Sequence, residues 1–331
     1  MVELQTTWSW LPAIYLFLGG LSAGAFLTVS ILHLVKPDRF KKTVTGGVWT
    51  AVAALAIGLL ALVSEVEKPF QAMILFKSFV NGSSWMTIGA WLLLVTFVVF
   101  VLSALFTTDK LADWLGKVCK PFGRARAGIN KVLAIVGIPC SLAVAAYTGV
   151  LLSAAPAIPL WNTWLLPALF TVSALDTGVA AVSVFAAVLE KDEDAHGLRT
   201  ALEWTVLCLV AIEAVVLAAF LTTMQGSGAD EALASGLLVS GPLSMQFWAL
   251  VVAVGLVGPF LAALVQVATA KRKKDAALVP AVPVGGAACA LVGGFTLRFL
   301  VLAAGLHAAL VSPAALQAVQ GVLLFVSCRS R

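Results

Sequence analysis

The sequence predicts an all-α, polytopic integral membrane protein, a bundle of about eight transmembrane helices. Two properties of its composition predict this class: 61% of the 331 residues are hydrophobic, and only 11% are charged. A soluble domain carries roughly 25% charged residues, so most of this surface cannot face water. Because a bilayer offers no hydrogen-bond partner to unpaired backbone groups, its long apolar segments must be helices.

Eight apolar segments are each long enough to cross the hydrocarbon core of a bilayer, which takes about 20 helical residues. These segments cover residues 12–35, 46–64, 84–107, 131–153, 164–189, 202–223, 245–268 and 285–306. They predict an eight-helix membrane domain over residues 1–306, followed by a tail over residues 307–331. Within the tail, residues 308–327 are apolar but interrupted by proline and glutamine. This pattern predicts a short interfacial helix, with a ninth span as the alternative.

Two runs of small residues lie within the predicted spans. They are residues 19–25 (GGLSAGA) in the first span and residues 173–178 (SALDTG) in the fifth. Small side chains let helices approach closely in a membrane, so both runs are expected to serve helix packing. Their similarity also favours an arrangement of two four-helix bundles.

Positive charge is distributed unevenly between the two sets of loops. Most of the 21 lysines and arginines lie in the loops after the first, third, fifth and seventh spans, whereas the opposite loops hold only Lys68 and Lys77. The positive-inside rule therefore predicts that the first set faces the cytoplasm and that the N-terminus lies outside. The loop after the fifth span also carries acidic residues, but these count little in the rule.

The predicted outer loop between residues 153 and 164 carries no charge and contains Trp161 and Trp164. Tryptophan at this depth is typical of an interfacial aromatic belt. An uncharged outer loop also suits burial under another subunit. The sequence therefore favours either a belt or a docking surface for a partner.

The sequence predicts no haem, iron–sulfur cluster or metal site in this chain. A membrane haem usually needs facing histidine pairs, and the three histidines, His33, His196 and His307, are predicted at span ends or in a loop. The five cysteines are scattered without a C-x-x-C pair. If the protein handles electrons, they must arrive on a diffusible carrier and leave through a partner.

Ionisable residues inside the spans are functional candidates, because an unpaired charge in the bilayer is costly. Asp176, Glu213 and Arg298 are predicted near the middle of spans five, six and eight, Glu65 at the outer end of span two, and Glu203 at the cytoplasmic end of span six. We expect these residues to form a discontinuous proton path. The alternative for Asp176 and Arg298 is a structural ion pair, and the alternative for Glu65 is an interfacial position in water.

The only two tyrosines, Tyr15 and Tyr147, are both predicted near the outer ends of spans. A phenol at this depth can belong to an aromatic belt, with its ring in lipid and its hydroxyl in water. The functional alternative is a hydrogen bond from the phenol to a quinone carbonyl in an otherwise apolar wall.

Several motifs together resemble the NrfD/PsrC family, the quinone-interacting membrane subunits of molybdopterin oxidoreductase complexes. The similar stretches, in order, are residues 8–24 (WSWLPAIYLFLGGLSAG), 65–69 (EVEKP), 81–91 (NGSSWMTIGAW), 147–153 (YTGVLLS), 161–162 (WN), 175–178 (LDTG) and 293–298 (GGFTLR). Their order and spacing match the family over most of residues 8–306.

The resemblance implies eight helices in the bacterial cytoplasmic membrane, no prosthetic group in this chain, and a site for menaquinone or another quinone near the outer face. A ferredoxin-like partner with several iron–sulfur clusters would cover that site, and a molybdopterin catalytic subunit would lie beyond it. By position, Tyr15 and Tyr147 would contact the quinone, and Glu65 would take part in proton transfer. This chain would then supply the quinone site and not the terminal chemistry.

Two positions depart from the family pattern. Residues 65–69 read EVEKP where many members have DLGRP, so the acid is retained but the glycine and the arginine are not. Pro12 stands where some relatives present a polar side chain to the quinone.

A secondary transporter or ion channel is the competing class, because it shares apolar spans and intramembrane carboxylates. Pro139 and Pro259 are placed to kink spans four and seven, as the broken helices of transporters are. A purely structural membrane anchor is the other alternative. A copurifying cluster protein separates the redox subunit from the transporter, and sensitivity to quinone-site inhibitors separates it from the anchor.

Overall fold

The predicted class is confirmed by a computed structural model that describes residues 2–4, 10–37, 39–64, 85–118, 120–190, 193–272 and 281–308. Within these residues, eight helical segments are long and apolar enough to cross a membrane. The helices are α1 (Trp10–Val35), α2 (Lys41–Ser64), α3 (Trp85–Thr107), α4 (Asp109–Val118), α5 (Lys120–Ser153), α6 (Leu165–Leu189), α7 (Glu193–Ser227), α8 (Ala229–Val239), α9 (Ser244–Gln246), the π-helix π1 (Phe247–Val257), α10 (Gly258–Arg272) and α11 (Ala281–Ala303).

The predicted spans agree with the observed helices, with differences at the ends. The helices α2, α5 and α7 begin well before the apolar segments predicted at residues 46, 131 and 202. Hydropathy marks where the hydrocarbon begins, whereas the helical backbone continues into the interface, where charged side chains are tolerated. Two short helices, α4 and α8, lie outside the spans and were not predicted. The expected interfacial helix or ninth span at 308–327 lies outside the described residues.

The eight spans form two four-helix bundles. In the first bundle, α1 packs against α2 and α5, and α3 completes the group through contacts with α2 and α5. In the second, α6 packs against α7 and α11, and the composite seventh span (α9, π1 and α10) lies against α7 and α11. The contact between α1 and α6 is the most extensive one between the bundles, so these two helices form the centre of the molecule.

At the centre of the molecule the backbones of α1 and α6 touch. A Cβ atom added to Gly24 would overlap the carbonyl group of Ala174, and one added to Gly178 would overlap the carbonyl carbon of Gly24. The two predicted small-residue runs therefore pack against each other, as their composition indicates.

The seventh span differs from the regular helix expected over residues 245–268. Its first part is the π-helix π1, and the N–H of Gly258 donates to the carbonyl of Ala253, five residues back. The α-helical part begins at Gly258, directly before Pro259, which has no N–H to donate. At Gly255 the π-helix lies against the backbone of Gly293 in α11, with no room for a Cβ on either residue. Pro259 thus marks a change of helix type.

A short antiparallel pairing joins the two ends of the described chain. The strands β1 (Val2–Leu4) and β2 (Leu306–Ala308) pair in the register Val2 to Ala308, Glu3 to His307 and Leu4 to Leu306. Both ends therefore lie on the same face, which we call the N-terminal face. Because both ends lie on one face, the chain must cross the membrane an even number of times, in agreement with eight spans.

On the opposite face, which we call the basic face, hydrogen bonds join the start of α2 to the end of α6. The buried carboxylate of Glu190 accepts hydrogen bonds from the N–H and the hydroxyl of Thr43, at 3.1 and 3.2 Å. Arg199 donates to the carbonyls of Ala186, Ala187 and Glu190, and so caps the C-terminus of α6. The basic loops thus share one face, as the charge distribution predicts.

The α1–α6 crossing generates a stability prediction. Gly24→Ala places a methyl group into the carbonyl of Ala174, and such overpacking typically costs about 1–3 kcal/mol of unfolding free energy. The matched control is Gly197→Ala in α7, where an added Cβ meets no atom within 4 Å. The control is expected to be neutral or to stabilise the helix by up to about 1 kcal/mol. Unfolding of both variants in detergent, followed by tryptophan fluorescence, measures the difference. Equal unfolding free energies for Gly24→Ala and Gly197→Ala would contradict the close backbone contact between α1 and α6.

Candidate functional site

The two tyrosines predicted to contact a quinone are both buried and lie together in the first bundle. Tyr15 in α1 is 2% exposed, and Tyr147 in α5 is 6% exposed. The two phenols are close enough to interact electrostatically. The hydroxyl of Tyr147 donates to the carbonyl of Trp85, the first residue of α3, at 3.3 Å. The tyrosines therefore face protein and not a lipid belt, and they meet near the N-terminal face.

A glycine makes room for the ring of Tyr147. A Cβ atom added to Gly89, in the second turn of α3, would overlap the hydroxyl and the ring of Tyr147. Gly89 belongs to the motif at residues 81–91, but its contact with the ring of Tyr147 was not predicted. No signal in a single sequence pairs a glycine in one span with a tyrosine in another.

The third quinone candidate, Glu65, lies outside the described residues. The helix α2 ends at Ser64, the residue directly before it. In its last two turns, α2 passes beside Tyr15: a Cβ atom added to Gly58 would lie 3.6 Å from the carbonyl oxygen of Tyr15. The end of α2 therefore lies in the same bundle and at the same face as the two tyrosines.

A second polar group surrounds Arg298, which is fully buried between α1, α6 and α11. Its Nη1 donates to the hydroxyl of Ser173 at 3.1 Å and to the carbonyl of Gly294 at 2.9 Å. Its Nη2 donates to the carbonyl of Phe170 at 3.3 Å, and its guanidinium also lies over the ring of Phe170, 5.1 Å from the centroid. Neutral acceptors and an aromatic face thus hold the cation in place.

Two carboxyl groups lie beside this arginine. Glu213 in α7 lies near the guanidinium of Arg298 and the hydroxyl of Ser173, close enough for electrostatic interaction. Asp176 in α6, 1% exposed, interacts with Glu213, and its Oδ1 has no hydrogen-bond partner. Among the described residues, Asp176 and Arg298 form no direct ion pair, so the structural alternative suggested for them is wrong in that form. Asp176, Glu213 and Arg298 instead lie in one cluster with Ser173, which was assigned from the sequence only to helix packing.

Glu203 is separated from this cluster. It is buried near the basic face, where Glu203, Arg199, Gln266 and Ser183 line a void of about 10 Å³. A void of this size holds about one water molecule. Glu203 precedes Glu213 by ten residues of α7, which corresponds to about 15 Å along the helix. The predicted chain of acids is therefore interrupted by a gap within the second bundle.

The uncharged loop between α5 and α6, which contains Trp161 and Trp164, was expected to form an aromatic belt or a docking surface. Only Trp164 is strongly exposed, at 77%, whereas Trp161 is 1% exposed. The indole Nε1 of Trp161 donates to the carbonyl of Val301 in α11, at 2.8 Å. The assignment of Trp161 to a belt or docking surface is thus wrong, because this indole joins the loop to the core.

No group of three or more histidine, cysteine or acidic side chains within the described part of the chain is arranged to hold a metal ion. The cysteines described there, Cys140, Cys208 and Cys289, are free thiols. The buried ionisable side chains within the described helices are therefore two phenols, three carboxyls and one guanidinium.

The sequence matches the family described as polysulphide reductase, NrfD, over residues 3–309. It belongs to the NrfD/polysulphide reductase family. It is 29% identical over 309 residues to the C subunit of polysulfide reductase from Wolinella succinogenes. It is 30% identical over 319 residues to protein NrfD of Escherichia coli and 26% identical over 310 residues to the protein NrfD homolog of Haemophilus influenzae. Each comparison covers 90% of this protein and 94% of the relative. The family resemblance inferred from the motifs is confirmed.

The bonding of Arg298 generates a prediction for this NrfD-family protein. Ser173→Ala removes one of the acceptors of a buried cation, which is expected to lower the unfolding free energy by about 1–2 kcal/mol. The matched control is Ser183→Ala on the same helix, whose hydroxyl bonds only the carbonyl of Ala180 in its own turn, at 2.8 Å. This control should stay close to wild type in the same detergent unfolding assay. A control variant that loses as much stability would refute the special role of Ser173.

Proposed function

We propose that this protein binds a quinone, of the menaquinone class, beside Tyr15 and Tyr147, and exchanges its electrons with an iron–sulfur partner. Membership of the NrfD/polysulphide reductase family makes it a membrane subunit of an oxidoreductase complex. The finer assignment rests on the two buried phenols. We place the protein in the bacterial cytoplasmic membrane with its N-terminal face outside, on the basis of the positive-inside rule.

The meeting of two phenols in an apolar bundle is the observation that carries the proposal. A quinone offers two carbonyl acceptors on an apolar ring, and ligand sites typically combine apolar walls with a few placed donors. Tyr147 and Tyr15 supply such donors at the same end of the first bundle. When bound, a quinone would supply the chemistry of accepting or releasing two electrons and two protons.

Tyr147 would have to redirect its hydrogen bond on binding. In this structure its hydroxyl donates to the carbonyl of Trp85. That bond is long for a hydroxyl donor, whose usual donor–acceptor distance is about 2.7–2.8 Å. Replacing this bond with one to a ligand carbonyl would therefore cost little free energy, and the ring of Tyr147 would keep its position against Gly89.

The cluster in the second bundle suits proton transfer. Two carboxyls, Asp176 and Glu213, share a buried volume with one guanidinium, Arg298. One proton shared between the two acids makes the cluster neutral, whereas two ionised acids would leave a net charge in the bilayer. Glu203 would connect the cluster to the basic face through water, and Glu65 would serve the quinone end.

Electrons must leave this subunit through another protein if it holds no redox centre. A ferredoxin-like iron–sulfur subunit seated on the N-terminal face, with a molybdopterin subunit beyond it, would meet this need. The relative from Wolinella succinogenes is named as the C subunit of a polysulfide reductase, which supports a complex of several polypeptides. The exposed Trp164 and Trp10 belong to the same face and suit a docked partner.

Removal of one phenol hydroxyl tests the quinone site. Tyr147→Phe keeps the ring on Gly89 but removes the donor, so the KM for a menaquinol analogue is expected to rise by about tenfold. The matched control is Thr148→Val, which removes a neighbouring buried hydroxyl that bonds only the carbonyl of Ala145. Reduction of the partner's clusters, followed by visible absorbance in the gently purified complex, gives both values. An unchanged KM for Tyr147→Phe would reject the site. Stable protein without any copurifying chromophore would favour a transporter.

Neutralisation of Asp176 tests the proton path. Asp176→Asn is expected to lower turnover and proton uptake by at least about tenfold while the complex still assembles. The matched control is Asp230→Asn, which changes an exposed acid of α8. Quinol turnover, proton movement in vesicles and yield of the assembled complex are compared for both variants. A loss of assembly that matches the loss of turnover would favour a structural role for Asp176.

A further inference from the structure

A cleft of about 470 Å³ opens at the basic face of the first bundle. It lies where α1 ends, where the following loop enters α2, and where α3 approaches the start of α5. Its polar lining consists of His33, Arg39, Lys41, Thr107, Arg126, Asn130 and Lys131. Its volume falls within the range of small-ligand sites, about 300–1,000 Å³. The proposed quinone and proton chemistry does not use it.

The charge of this cleft is strongly one-sided. Four of its side chains, Arg39, Lys41, Arg126 and Lys131, are cationic, and no acid occurs among its described lining residues. Asp109 pairs with Arg126 at 2.7 Å from outside that lining. Clustered arginines and lysines with different geometries are the side chains that recognise phosphate oxygens.

The cations of the cleft divide into two roles. Arg126 donates to the carbonyls of Phe106 and Thr107, at 2.9 and 3.1 Å, and so closes the end of α3. Arg39, Lys41 and Lys131 are exposed side chains of the cleft lining. Arg126 thus shapes the cleft, and the other three are placed to contact what enters it.

The loop that carries two of these cations is held in a strained conformation. Phe40, between Arg39 and Lys41, has a φ of 54°, in the left-handed region that a bulky residue rarely adopts. Its side chain is buried in the core, which holds the loop in place. Strain of this kind persists only where the surroundings impose it, and it clusters at ligand clamps.

The helices that contribute to the cleft also carry exposed apolar side chains close by in the sequence. They are Ile31 and Val35 in the last two turns of α1, and Val132 and Ile135, which follow the cleft residue Lys131 in α5. Phosphate-binding cations at the interface, directly above lipid-facing apolar residues, match the two parts of a phospholipid. A soluble phosphate or an acidic peptide would make no contact with these apolar side chains.

We propose that this cleft binds the phosphate headgroup of an anionic phospholipid, with the acyl chains lying along α1 and α5. The lipid would fill the space between the ends of three helices. Its phosphate would contact Arg39, Lys41 and Lys131. The proposal does not depend on the quinone assignment, since it rests on the opposite face.

Lipid titration of the full-length protein, depleted of lipid in detergent, tests this site. Bound lipid is counted by native mass spectrometry with phosphatidylglycerol, with phosphatidylcholine of the same acyl chains, and with inorganic phosphate as competitor. The cleft variant is Arg39→Gln/Lys131→Gln. Its control, Lys42→Gln/Lys110→Gln, removes two exposed charges near the same loops but outside the cleft. A third variant, Arg39→Lys/Lys131→Arg, keeps both charges.

Wild type is expected to bind phosphatidylglycerol in preference to phosphatidylcholine. The cleft variant should weaken that binding by about tenfold or more, and the control by less than about threefold. The charge-retaining variant should bind like wild type, which separates lost charge from lost fold. Equal weakening in the cleft and control variants would overturn the proposal in favour of general surface charge. Equal binding of both lipids, or displacement of phosphatidylglycerol by equimolar inorganic phosphate, would also overturn it.

Discussion

Where α1 crosses α6, the two backbones meet at Gly24 and Gly178, and this contact determines where polar groups can lie inside the bilayer. One turn along α1, Gly20 leaves the space that the guanidinium of Arg298 fills: an added Cβ would lie 2.8 Å from its Nη2. Ser173 and Phe170 of α6 then complete the bonding of that cation. A side chain at Gly20 or Gly24 would therefore disturb both the joint between the bundles and the one fully buried arginine of the described helices.

The two bundles carry different chemistry on a similar plan. In the first, neutral phenols meet near the N-terminal face, among apolar walls suited to an uncharged, lipid-soluble ligand. In the second, two acids and an arginine lie close together near mid-membrane. Charged groups are tolerated at this depth only where opposite charges neutralise each other. On the proposed function, this division would place a neutral redox carrier in the first bundle and a charged proton relay in the second, with α1 and α6 between them.

The sequence predicted the features that depend on hydropathy and on residue type, because each span must be apolar along its own length. Eight spans, two bundles, packing through small residues and the candidates Asp176, Glu213 and Arg298 follow from such local signals. Contacts between distant segments did not follow. Nothing local shows that Trp161 turns inward to Val301, that Gly89 seats Tyr147, or that Ser173 bonds Arg298. The π-helix was missed because Pro259 signals a disturbance without specifying its form.

The glycine contact between α1 and α6 also limits how the molecule can move. Side chains that interdigitate can exchange rotamers and let two helices slide, but bare backbones in contact have no such freedom. The two bundles should therefore behave as one rigid body, unlike the halves of a rocking transporter, which must separate and close in turn. Any coupling between the proposed quinone site and the acidic cluster would then not involve movement of the helices. It would have to occur through reorientation of hydroxyls, carboxyls and single water molecules.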